Sequence, residues 1–195
     1  SPSTDLFSAL ALYAITVIIG LLSMLGVYSG IVWFSTRTAP KTFIKAIAPA
    51  QLLAFSTSSS AATLPVTLDC VQNKLDVPEE VASFVLPIGA TINMDGTSLY
   101  QAVAAVFIAQ AFGMDLSLGA QLMIIVTATL ASIGSAAVPG AGMVMLVIVL
   151  AQAGIPEAGL ALIFAVDRPL DMCRTVVNIS GDAAVSVLIA RMVHK

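Results

Sequence analysis

The sequence predicts an all-α integral membrane protein built from inverted repeats, each a re-entrant helical hairpin followed by a broken or polar-faced spanning helix. Three observations carry this. Of 195 residues, 58% are apolar and 10% charged, with a mean hydropathy of +1.01, whereas a soluble domain carries about 25% charge. Several apolar segments stop near a dozen residues, too short to cross roughly 30 Å of hydrocarbon. The order of short arm, polar tip, short arm and interrupted long segment occurs twice.

Composition also excludes. A net charge of −3, with no basic run and no aromatic-plus-basic patch, argues against a nucleic-acid partner. Cys70 and Cys173 have neither metal-ligand spacing nor a disulfide framework around them and read as small buried apolar residues. His194, the only histidine, lies one residue from the C-terminus, so a His-based relay or a His-ligated metal is not expected. The chain opens SPSTDLF, with neither an initiator Met nor the basic start of a signal peptide, and reads as a fragment or processed product.

Residues 6–34 form an uncharged apolar run of the length of a slightly tilted spanning helix. A basic loop (Arg37, Lys41, Lys45) leads into residues 43–75, where two apolar arms of about 12 residues flank STSSS and AATLPVTL. Neither arm spans, which predicts a re-entrant hairpin with its polar tip in mid-membrane. A serine cluster is ordinarily a turn or linker; between arms this short it reads as a tip. Residues 81–113 are long enough to span but are interrupted by NMDGT, where Asn, Asp and Gly disfavour a continuous helix.

The second half repeats the plan. Residues 117–154 read as hairpin two, with the Gly/Pro tip SIGSAAVPGAG, and residues 156–193 as a last, polar-faced helix. Ser60-Ala61-Ala62 before Leu64-Pro65 matches Ser135-Ala136-Ala137 before Val138-Pro139, at the tip of each hairpin. Internal repeats of this kind bracket substrate sites in transporters. Arg37, Lys41, Lys45, Lys74, Arg191 and Lys195 cluster on one side, and the loops at 113–117 and 152–157 have no basic residue. The first hairpin is therefore expected to enter from the cytoplasm and the second from outside, with their tips meeting near the midplane.

The last helix holds the chemistry. In DRPLDMCRTVVNISGD (167–182), Asp171, Arg174, Thr175, Asn178 and Asp182 fall within roughly one third of the helix circumference. A charged residue at the centre of a membrane helix costs roughly 2.5 to 3.5 kcal/mol, and Leu or Val returns only about 0.3 to 0.6. Asp171 and Arg174 at i,i+3 could be a neutralising pair alone, but the polar companions on their face point to a site. Unwound backbone at membrane depth must be buried or line a cavity, and freed carbonyls beside carboxylates suit a bare sodium ion. Asp95 and Asp182 are the candidate carboxylate ligands, joined by Asn93 and Asn178. Arg174 is the candidate anchor for an anion, its planar fork matching a carboxylate.

Two other classes fit less well. An ion channel also uses re-entrant loops, but its filter needs rings of identical groups, and this polar set is asymmetric. An intramembrane hydrolase could use Asp95, Asp171, Asp182 and the serines of 58–60, but no histidine lies at membrane depth to activate a nucleophile. The chain is not expected to be an enzyme.

SSSAATLPVT, PIGATINMDGT followed by Tyr100 and Gln101, ASIGSAAVPGAG and DMCRTVVNISGD, in this order and spacing, resemble the sodium-coupled glutamate/aspartate transporters, the dicarboxylate/amino acid:cation symporter family. The resemblance covers essentially the whole chain. It implies the elevator fold, in which hairpins and broken helices form a transport domain sliding against a trimeric scaffold. It implies symport of an acidic amino acid with sodium ions across a prokaryotic cell membrane, or alternatively transport of simple C4-dicarboxylates coupled to protons or sodium. By the same resemblance, substrate positions fall on Ser58, Ser60, Thr97, Val138, Gly142, Asp171, Arg174, Thr175 and Asn178. Asp171 would take the amino group and Arg174 the side-chain carboxylate. Sodium positions fall on Gly89, Asn93, Asn178 and Asp182; on Thr91, Ser132, Ile133 and Ser135; and on Asn93 with Asp95. The second tip would be the extracellular gate.

Departures from the family pattern qualify this. The usual chain is about twice as long, so the helices upstream of Leu6, the third sodium site's upstream ligands and the trimer interface are expected to be missing. Gln101 stands where animal transporters carry a proton-linked Glu, which implies a prokaryotic, sodium-driven type. Ser58 and Met172 occupy positions where some relatives place a second Arg.

Overall fold

The computed structural model describes residues 2–193, with the backbone alone for 2–6. The side chain of Leu6, His194 and Lys195 lie outside what is described. All regular structure among the described residues is helical: α1 (Pro2–Thr36), α2 (Pro40–Thr57), α3 (Ser60–Leu75), α4 (Glu79–Ile92), α5 (Asp95–Ala111), α6 (Leu118–Ile133), α7 (Ala141–Gln152), a 3-10 turn (Glu157–Gly159) and α8 (Leu160–Val193).

Helices α1 and α8 answer two different demands. Among the described residues, only Phe7–Thr36 and Glu157–Val193 are helical segments long and apolar enough to cross a membrane. α1 keeps Leu12, Ile19, Leu22, Val27 and Phe34 on its surface and turns Tyr13, Val17, Leu21, Tyr28 and Val32 inward. α8 is the hub, packed against α1, α2, α3, α4 and α5. Its central turns, from Leu170 to Val187, are accordingly buried almost all round. An inserted helix with polar groups on one stripe is tolerated when that stripe faces protein.

α2 and α3 form one helical hairpin, and α6 and α7 another. The arms of the first are longer than expected: α2 has 18 residues and α3 has 16, where about 12 each were inferred. The serine cluster is the reason. Ser56 and Thr57 donate their hydroxyls back to Leu53 O at 2.9 and 2.8 Å, satisfying themselves inside the helix, so α2 runs on through them. Only Ser58 and Ser59 are non-helical. Ser58 ends α2 in the left-handed region at φ 52°, and Ser59 caps α3 by accepting from Ala62 N–H at 3.1 Å. At about 1.5 Å per residue, even the 18 residues of α2 reach only about 27 Å.

The NMDGT interruption is likewise narrower than its five letters. Only Asn93 and Met94 leave the helical path, and Asp95 opens the first turn of α5, where a carboxylate is favoured by the helix dipole. The second tip is broader, non-helical over 134–140. There Pro139 blocks helix continuation and Gly140, at φ 78°, starts α7.

Candidate functional site

The two tips meet. Ser59 Oγ donates to Ala137 O at 2.8 Å, and Ala61 N–H reaches the same carbonyl at 3.3 Å. Beneath them is a cavity of about 20 Å³ lined by Ser58, Ser60, Met94, Thr97, Ser135, Ala136, Ala137, Val138, Gly142, Asp171, Thr175 and Asn178. That volume holds little more than one water molecule, so the tips are closed over the polar face. Eight of the nine residues inferred as substrate positions line it; Arg174 stands behind, 3.1 Å from where a Cβ on Gly142 would lie.

Arg174 is the most deeply buried ion of the group, at 1% exposure. Its Nη2 donates to Asp171 Oδ1 at 2.7 Å and lies 3.6 Å from Asp167 Oδ1. Its guanidinium plane covers the Tyr100 ring at 3.8 Å, and Tyr100 is itself fixed by donating to Asp167 at 2.7 Å. Yet Nε and Nη1 have no hydrogen-bond partner. A buried donor left unmade costs about 1–3 kcal/mol and more on a charged group, so this fork is arranged for an acceptor.

Asp171 completes the other half. Its Oδ2 accepts from Gly140 N–H of the second tip at 2.9 Å, with Arg168 at 3.6 Å on the rim. Deeper along the face, Asn178 accepts from Gly96 N–H at 2.8 Å and donates to Thr97 Oγ1 at 3.2 Å. Asn178 thereby ties α8 to the first turn of α5. Ser58 Oγ and Ser135 Oγ are buried without partners, further unmet polar capacity around the cavity.

The residues inferred for sodium fall into unequal groups. Gly89, Asn93 and Asp182 come together: Asn93 Nδ2 donates to Asp182 Oδ1 at 2.8 Å, and a Cβ on Gly89 would stand 2.5 Å from the same oxygen. Asn178, inferred for that group, spends its amide on Gly96 and Thr97 instead. Asp95, across the break from Asn93, accepts from Tyr28. The remaining group is not assembled. Thr91 is exposed and its hydroxyl turns back to Ile88 O at 3.0 Å. Ser132 bonds Thr129 O at 2.8 Å, and the Ile133 side chain is 43% exposed. No group of three or more His, Cys, Asp or Glu residues that could hold a metal ion occurs among the described residues. The oxygen donors here are single carboxylates among amides, hydroxyls and carbonyls, a set that suits a hard monovalent ion.

Sequence reasoning missed Asp167, Tyr100 and Tyr28 as members of the site. Asp167 was findable, one turn before Asp171 on the same helical face. Tyr28 shows only as a phenol in an apolar helix, and nothing local announces its partner.

One family model, the sodium:dicarboxylate symporter family, matches residues 2–192. Among curated relatives, excitatory amino acid transporter 3 of Oryctolagus cuniculus is 49% identical over 192 residues, 98% of this chain and 37% of its own length. Excitatory amino acid transporter 1 of Ambystoma tigrinum is 50% identical over 175 residues, 89% of this chain and 32% of its own. Excitatory amino acid transporter 5 of Homo sapiens is 46% identical over 187 residues, 95% and 33%. The chain thus spans about a third of the length of these relatives. With the buried Arg174–Asp171 pair under two apposed hairpin tips and a family match from end to end, this chain belongs to the sodium:dicarboxylate symporter family.

Proposed function

We propose that this chain carries the substrate and cation sites of a membrane symporter that takes up an acidic amino acid, aspartate or glutamate, together with sodium ions. The observation that carries this is Arg174: a buried guanidinium with two unpartnered N–H groups beside a carboxylate. An acidic amino acid offers the complementary set. Its side-chain carboxylate takes the free donors of Arg174, and its ammonium takes Asp171 in place of Gly140 N–H. A simple dicarboxylate brings no donor to replace Gly140 N–H on Asp171 Oδ2, which favours the amino acid over that alternative.

The closed cavity has room for neither, so the second tip must swing outward to admit substrate. Gly140 N–H on Asp171 and Ser59 on Ala137 O are the contacts that opening breaks. Sodium is cargo in this scheme. Asp182 with Asn93 beside Gly89 is the first cation locus and Asp95 with Asn93 the second; Thr91, Ser132, Ile133 and Ser135 form a third when α4 and the second tip draw together. The hairpins are re-entrant, entering from opposite faces, and the unit moves as an elevator against a scaffold in a homotrimer of the full-length protein. Gln101, fully buried with its amide on Gly142 O at 3.0 Å, carries no proton, which supports a prokaryotic type in the cell membrane driven by sodium alone.

Equilibrium binding of labelled aspartate to the purified full-length protein tests the assignment. Binding in sodium and none in choline is expected. Equal binding in both salts contradicts the coupling.

A further inference from the structure

Helix α1 is apolar along most of its length, yet it places one phenol between the two carboxylates assigned to cations, the half-buried Asp95 and the buried Asp182. Tyr28 is 8% exposed and donates its hydroxyl to Asp95 Oδ2 at 2.5 Å. The end of its ring lies against α8 at Gly181, where a Cβ would stand 2.9 Å from Tyr28 Cζ and 2.7 Å from Asn93 Nδ2. Asn93 in turn donates to Asp182 Oδ1. One residue of α1 therefore touches both the break between α4 and α5 and the backbone next to Asp182. Among the described residues neither Asp95 nor Asp182 is ion-paired with Lys or Arg, so only neutral donors face these carboxylates.

We propose that Tyr28 is a positioning residue for the cation at Asp95: by holding Oδ2 it fixes the carboxylate's rotation and leaves Oδ1 as the ligand edge. The inference rests on the sodium assignment of Asp95 made above. A carboxylate turns easily about its last torsion, which is broad and two-fold. A hydrogen bond to an ionised oxygen is short and roughly twice as strong as a neutral one, enough to select one orientation. Groups of this kind, which bind the ligand side chain and leave the ion alone, tune affinity at metal sites generally. The absence of a side chain at Gly181 is what lets the phenol approach.

Tyr28→Phe keeps the ring against Gly181 and removes only the donor. Sodium alone is titrated into the purified full-length protein, wild type and variant, by calorimetry without substrate. The half-saturating sodium concentration is expected to rise about tenfold in the variant, the effect of losing one charge-assisted hydrogen bond. Aspartate affinity in saturating sodium should stay unchanged, because the cation site is then filled in both proteins. In an Asp95→Asn background, removing the hydroxyl should add nothing further. Unchanged or tighter sodium binding by Tyr28→Phe overturns the proposal, as does a variant that fails to fold or penalties that simply add across the two substitutions. If the wild type itself binds no sodium, the cation assignment of Asp95 fails first, and the two failures are told apart.

Discussion

Arg174 is the most deeply buried charge of the candidate site. A guanidinium at 1% exposure with two idle donors has been desolvated without full compensation, and only an incoming acceptor completes it. Arg174→Cys should therefore weaken aspartate binding by about a hundredfold or more, the cost of breaking a buried charge pair. Neutral amino acids should still bind weakly, as competition binding would read. Asp182→Asn keeps the shape but loses the charge. Its half-saturating sodium concentration should rise, with aspartate affinity falling in parallel at low sodium and recovering at high sodium, because coupling between the sites is reciprocal. Normal sodium dependence in that variant would remove Asp182 from the ion locus. At this scale the polar stripe of α8 was readable from spacing, since a helix repeats its faces strictly. The ring under Arg174 was not readable, because Tyr100 reaches it from α5 and such a contact leaves no local trace.

The hairpin tips set what the elements can do. Ser59 serves two helices at once: its oxygen accepts the α3 cap bond from Ala62 N–H, and its hydroxyl proton goes to Ala137 O of the opposite tip. Losing the cap costs about 1 kcal/mol, and losing the link frees the second tip to open. Ser59→Ala is expected to lower the thermal midpoint and to speed aspartate dissociation, while Ser59→Thr restores both. An unchanged dissociation rate in the alanine variant would show that the tips are held together elsewhere. Helix breaks were legible as Gly, Pro, Asn and Ser clusters, but their widths were not. Ser56 and Thr57 look like tip residues by letter and become helix by bonding back to Leu53, a choice made by geometry that composition does not record. Thr91 and Ile133 face outward for a related reason: α4 and α6 share little contact in this closed arrangement.

Across the whole molecule, one central helix carries the charges while its neighbours supply the means of closing over them. α8 packs on α1 to α5, so its polar face cannot shift without moving the first hairpin and the α4–α5 break. A unit tied together in this way suits displacement as one body, with the apolar surfaces of α1 and α6, such as Leu22 and Leu122, left to lipid or to a partner surface. The central claim is that this closure couples an acidic amino acid to sodium. The direct measurement is accumulation of labelled aspartate by vesicles containing the full-length protein under an inward sodium gradient. Internal aspartate rising above the external concentration, and collapsing when the gradient is dissipated, is the predicted result. Uptake that halts at equal concentrations on both sides would contradict it.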